Sequence, residues 1–168
     1  LGDVLDIASG DGVLAELLAS HARSIKCLDI SPRVVKAGKK RLRNYANVHF
    51  EPGDMHDLPV DDASVDTVLL MHALTYTSEP AVVFEEVERV LRPGGQLLAA
   101  TLQQHAHKNA VTAYNHLNLG FTGPQLKTLC KKAGLEPQNI RISAVEKRTP
   151  NFEVLTLLAI KPAKASRN

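Results

Sequence analysis

Cysteine is scarce. Cys27 and Cys130 are the only two in 168 residues, they lie far apart, and they form no CxxC pair. That argues against a disulfide framework and a zinc site, and for a reducing, cytoplasmic setting. An excess of one charge is missing too. The formal net charge is +2, too small to point to nucleic acid as a partner of this domain. No apolar stretch approaches the ~18–20 residues of a membrane span, and no signal peptide or internal repeat is visible. Two nucleotide-binding patterns are absent as well. Gly10 and Gly12 lack the third glycine of GxGxxG, and no Tyr-x-x-x-Lys pair is present to carry hydride chemistry. There is no GxxxxGK[ST] either, which excludes a P-loop. What remains is an ordinary globular mix, 44% hydrophobic and 23% charged, long enough for one domain with a sizeable core.

Apolar runs and helical periods alternate along the chain. Strands are expected at 4–7, 25–30, 48–51, 65–71 and 96–102, each a short apolar run ending in turn residues. Helices are expected at 12–21, from Pro32 behind a Ser31 N-cap, at 80–91 and at 122–133. In the second helix Val35 and Leu42 face inward, and Lys36, Lys39, Lys40 and Arg43 form a solvated stripe. In the third, Val82, Val83, Val87 and Val90 face inward. "RPGG" at 92–95 reads as a turn, and 103–121 shows no clear period. Strands at 140–145 and 152–160 have no helix between them, so they form a hairpin and one runs antiparallel to the rest. The class is α/β, a mostly parallel sheet with helices on both faces. The chain begins with Leu1, and a strand pattern starts at once, which points to a preceding segment outside these residues.

In such sheets ligands bind at the carboxyl ends of the strands, where strand order reverses. The loop in "VLDIASGDG" lies there, and its small residues let backbone approach a ligand. A tight turn with no ligand would also explain the loop alone. Asp29, 17 residues after Gly12, ends the second strand, where a carboxylate can accept from a ribose diol. Its alternative role as an N-cap is already filled by Ser31. Asp54, in "GDMHDLP", can accept from the exocyclic amine of a base, or can be a plain turn aspartate.

Taken in order, "VLDIASGDG", "CLDIS", "GDMHDLPVDDASVDTVLL" and "VLRPGGQLL" resemble the motifs of class I S-adenosylmethionine-dependent methyltransferases. The resemblance covers essentially the whole chain. It implies a Rossmann-like fold, a seven-stranded sheet in the order 3-2-1-4-5-7-6 with strand seven antiparallel, and S-adenosylmethionine as cofactor. Matched by motif, Asp6 would brace the loop near the methionine amino group, and Ala8, Gly10 and Gly12 would line methionine and ribose. Asp29 would hold the ribose hydroxyls with Ile30 against the adenine face. Asp54 and Met55 would read the adenine edge, and Met71 would lie near the methionine. Ala8 stands where the family has a glycine, a change expected to be tolerated if φ stays negative there.

"HLNLGFTGPQLKTLCKKAGLEP" and "PNFEVLTLLAIKP" look like the methyltransferase half of bacterial ArsR-type regulators fused to such a domain. This implies a DNA-binding helix-turn-helix segment upstream of a methyltransferase domain at 1–162. Separately, the polar, basic composition of the C-terminal end leads to the expectation of a disordered tail at 163–168. Two roles stay open: methyl transfer to a small-molecule acceptor, and cofactor sensing within a larger regulator. No metal ligand set is expected, since His105 and His107 form an HxH without a companion carboxylate. No catalytic residue is assigned. His72 follows the fourth strand and lies within reach of the reaction centre, but a structural or solvent-facing role is the simpler reading. "MHALTY" stands where DNA adenine methyltransferases carry a DPPY-type motif, which disfavours a DNA substrate. Nothing in the sequence sets the oligomeric state.

Overall fold

The computed structural model describes residues 1–163. Most of the expected basic tail lies outside the described residues. The elements run β1 (Asp3–Ile7), α1 (Val13–Leu18), β2 (Ser24–Asp29), α2 (Pro32–Arg41), β3 (Val48–Pro52), β4 (Val65–Met71), α3 (Pro80–Val90), β5 (Leu91–Leu102), α4 (Lys108–Ala113), α5 (Gly123–Ala133), β6 (Glu136–Val145) and β7 (Glu153–Ile160). They form one sheet of seven strands in the order β3-β2-β1-β4-β5-β7-β6. β1 to β5 pair in parallel, and β7 runs antiparallel to both β5 and β6. This is the expected topology.

Strand order reverses between β1 and β4, which opens a crevice at their carboxyl ends. On one face Leu5, Ile7, Val68, Leu70, Leu97 and Leu157 pack under α3 and α5. Phe84, fully buried on α3, adds a ring that the valine pattern did not reveal, whereas Val82 stays partly exposed. On the other face Val4, Ile25, Cys27 and Phe50 pack under α1 and α2, through Ala15 and Val35. That cover stops at β4. Leu69 is buried, but its register neighbour Leu98 on β5 is 38% exposed. Both cysteines are free and buried. No described helix is long and apolar enough to cross a membrane.

Local signals account for the element ends. Ser31 caps α2, its hydroxyl accepting from the Val34 N–H. Thr122 and Gln125 form a capping box at α5, which ends at Gly134 with φ +88°. Three expectations are corrected. The first helix is shorter, Val13–Leu18 followed by a 3-10 turn at Ala19–His21, with Val13 and Leu17 left exposed. "RPGG" is a bulge inside β5: Leu91 pairs with Val65, and pairing resumes at Gln96 with Thr67. The segment 103–121 contains the short helix α4.

Candidate functional site

The loop after β1 is built from left-handed backbone. Ala8, Gly10 and Gly12 have φ of +54°, +58° and +84°. Ala8 therefore does not keep the negative φ expected of it, and its methyl group is held in strain, since L-residues pay ~1–2 kcal/mol in this region. The loop is pinned to β2 from three points. The Ser9 N–H donates to the Leu28 carbonyl at 3.0 Å, the Ser9 hydroxyl donates to the same carbonyl at 3.3 Å, and the Gly10 N–H donates to Asp29 Oδ2 at 3.2 Å. Asp29 Oδ1 accepts from the Ser31 N–H at 2.9 Å, so this carboxylate joins the loop, the end of β2 and the start of α2.

The two glycines differ in what surrounds them. A Cβ at Gly10 would meet nothing within 4 Å, whereas a Cβ at Gly12 would meet Phe50 at 2.6 Å and Leu42 at 2.8 Å. Gly12 is thus required by packing of α1 on the core. Gly10 borders open space.

The loop carrying Asp54 is held from α3. Arg89 donates to the carbonyls of Val60 at 2.8 Å and Leu58 at 3.0 Å, and Glu86 accepts from the Leu58 N–H at 2.7 Å. Asp54 Oδ1 accepts from the backbone N–H of His56 at 2.9 Å and lies 2.7 Å from His56 Nδ1. These bonds hold the Asp54 carboxyl below its usual range, the backbone bond foremost. His56 Nε2 in turn meets the Thr77 hydroxyl at 2.7 Å.

These segments enclose a cavity of about 480 Å³ at the carboxyl ends of the strands. Ala8, Asp29, Ile30, Asp54, Met55 and Met71 line it. Asp6, Gly10 and Gly12 do not reach its wall. Asp6 lies behind the loop, 2% exposed, and its Oδ2 has no hydrogen-bond partner among the described residues. Burial pushes its carboxyl up to about 7. Ile30 is 73% exposed, an apolar side chain at the rim. The cavity also takes walls that the sequence did not single out for it, Gly53, His56, Ala73 and Tyr76, together with His72, which the sequence placed near the reaction centre. For His56 the signal was its place two residues after Asp54. Tyr76 had no signal, because it comes from a 3-10 turn, Leu74–Tyr76, in a loop.

A protein-family model described as a methyltransferase domain matches residues 5–99. The chain belongs to this family. A probable S-adenosylmethionine-dependent methyltransferase of Mycolicibacterium smegmatis is 36% identical over 99 residues, covering 59% of this chain and 37% of that protein. A demethylmenaquinone methyltransferase of Clavibacter sepedonicus is 35% identical over 95 residues, covering 56% of this chain and 39% of that protein. The chain thus spans well under half the length of that relative. Among solved structures, a geranyl diphosphate C-methyltransferase from Streptomyces coelicolor, in complex with Mg2+, geranyl diphosphate and S-adenosyl-L-homocysteine, is similar at a TM-score of 0.81 and 16% identity. That match covers 96% of this chain and 71% of the other. A [4+2]-cyclase matches at a TM-score of 0.82 and 20% identity, over 96% of this chain and 75% of the other. At these identities the structural matches concern the fold, and the cyclase illustrates that fold and reaction are separable.

Proposed function

We propose that the protein is an S-adenosylmethionine-dependent methyltransferase acting on a small-molecule acceptor, with residues 1–162 as its methyltransferase domain. The observation that carries this is the cavity at the strand switch point. It gathers an acid at the end of β2, an acid after β3, and methionine and alanine walls from β4 and the β1 loop. The buried, unpartnered oxygen of Asp6 suits a ligand with a cationic end.

When bound, the cofactor supplies a methyl group on a sulfonium that needs no further activation. The protein's part is therefore alignment and exclusion of water. In this reading Asp29 accepts from the two ribose hydroxyls with lone pairs that its backbone bonds leave free. Asp54, fixed by His56, meets the adenine amine. Ile30 and Met55 cover the ring, and Met71 and Ala73 keep the sulfur end dry. Asp6 balances the ammonium charge of the methionine part from behind the loop.

Relatives named for menaquinone synthesis make a reduced quinone ring one acceptor to try. The test is acceptor-dependent formation of S-adenosylhomocysteine, followed by chromatography across a panel of phenols, quinols, amines and carboxylates. Turnover with any of them supports an enzyme. Tight cofactor binding with no turnover on the panel would favour the sensing role, for which the site offers no observation of its own. The upstream DNA-binding segment rests on the ArsR-type resemblance alone.

A further inference from the structure

A second cavity, of about 270 Å³, adjoins the first and shares two walls with it, His72 and Tyr76. It is enclosed by the end of β5 at Leu102, the residues after α4, and the turn between β6 and β7. Rings dominate it. The Tyr76 and His116 rings meet edge to face at 5.1 Å, and Tyr114 stacks on His116 at 5.7 Å with 28° between planes. Phe152 adds a further ring. Aromatic walls of this kind favour a flat aromatic guest over a saturated one. The volume falls just below the ~300–1,000 Å³ of sites for drug-sized ligands, which suits one or two rings. His116 Nδ1 is buried without a hydrogen-bond partner among the described residues. A buried unpaired nitrogen is costly unless a ligand pairs with it, so a polar substituent on the guest has a place to go. Glu146 and Arg148, from the β6–β7 turn, are the charged groups at this cavity.

His72 is the hinge between the two spaces. Its φ is +56°, a rare conformation for a non-glycine residue, and its N–H is held by the Ala100 carbonyl at 2.7 Å. Strain of this kind concentrates at functional sites. Its ring nitrogens make no hydrogen bond among the described residues, and the side chain is exposed.

We propose that this second cavity takes the methyl acceptor, that the acceptor is a small planar aromatic bearing a hydroxyl, and that His72 receives the hydroxyl proton as the methyl group is transferred. The inference rests on the cofactor reading above. In the step, the acceptor O–H passes its proton to a ring nitrogen of His72, and an oxygen lone pair forms the new bond to the methyl carbon. The carbon–sulfur bond breaks with its electrons kept by sulfur, leaving a neutral thioether. The imidazolium then gives its proton to solvent, to which His72 is open. His116, held near neutral by burial, would orient the guest through Nδ1.

The test uses the full chain with S-adenosylhomocysteine bound and two probes of one skeleton, 1-naphthol and its saturated counterpart 1-decalol. Calorimetry is expected to show 1-naphthol binding at least fivefold tighter. Tyr114→Ala and His116→Ala should each weaken 1-naphthol at least fivefold while S-adenosylhomocysteine changes less than twofold. With S-adenosylmethionine and 1-naphthol as substrates, His72→Gln should lower kcat on the order of 100-fold with KM within threefold. That loss should shrink at high pH, where the naphthol ionises unaided. Any of four results would overturn the proposal: no 1-naphthol binding, equal affinity for the two probes, indifference of 1-naphthol to both ring substitutions, or unchanged kcat in His72→Gln. A parent protein that does not bind S-adenosylhomocysteine would overturn the cofactor reading itself, and this inference with it.

Discussion

The Gly10 N–H donates to Asp29 Oδ2 at 3.2 Å, so the loop after β1 and the end of β2 form a single unit. Removing the Asp29 carboxylate should therefore do two things. Asp29→Ala should weaken cofactor binding by about 1.5–3 kcal/mol, the scale of hydrogen bonds to a charged group. It should also loosen the loop, because Gly10 and Ser31 both lose an acceptor. Calorimetry with S-adenosylhomocysteine measures the first, and circular dichroism checks that the variant is folded. Unchanged affinity in a folded variant would leave the acid with a structural role only.

The two loop glycines should separate binding from stability. Gly12→Ala places a Cβ against Phe50 and Leu42 at under 3 Å in left-handed backbone, so overpacking of ~1–3 kcal/mol adds to strain. Gly10→Ala carries the strain without the clash. In denaturant melts Gly12→Ala should be the less stable of the two. Gly10→Ala should lose affinity out of proportion to its loss of stability.

Ala8 has φ +54°, which glycine adopts freely. Ala8→Gly should stabilise the fold by roughly 0.5–1 kcal/mol, the left-handed strain less the added chain entropy of glycine. For a chain of this size that is a rise in Tm of about 1–4 °C, read by thermal unfolding.

Burial raises the Asp6 carboxyl from 3.8 to about 7. Below pH 3.8 it is protonated in both the folded and unfolded chain, and its contribution to stability is fully present. Between 3.8 and 7 only the unfolded chain ionises, so stability falls by up to ~1.4 kcal/mol per pH unit, and the contribution is lost as pH passes 7. Asp6→Asn should remove this slope. Relative to the parent, the variant should gain stability from pH 4 to pH 8 in urea melts at each pH. A constant difference between the two across that range would contradict the buried-acid account.

Much of this was legible in the sequence, for physical reasons that also mark the limits. β4 was readable to the residue because Val65–Met71 is an apolar run bounded by turns. α5 was readable to within a residue, expected at 122–133 and found at Gly123–Ala133, where the structure adds the Thr122–Gln125 capping box. Six of the nine residues expected at the cofactor line one cavity, since each stands at a strand end where the topology converges. Gly12 was not separable from Gly10 in sequence, because only the fold brings Phe50 and Leu42 against it. The positive φ of Ala8 was hidden for a similar reason, being imposed by the three bonds that tie the loop to β2. The second cavity was out of reach, because its rings come from three separate loops, at Tyr76, at Tyr114 and His116, and at Phe152, that meet only when β7 inserts beside β5.

The central claim is that the cavity at the ends of β1, β2 and β4 holds S-adenosylmethionine. The most direct measurement is calorimetric titration of the purified chain with S-adenosylmethionine, S-adenosylhomocysteine and NAD under one buffer condition. Saturable one-to-one binding of both adenosyl ligands, abolished or much weakened in Asp29→Ala, with no binding of NAD, is the predicted result. Saturable binding of NAD with no binding of either adenosyl ligand would contradict it.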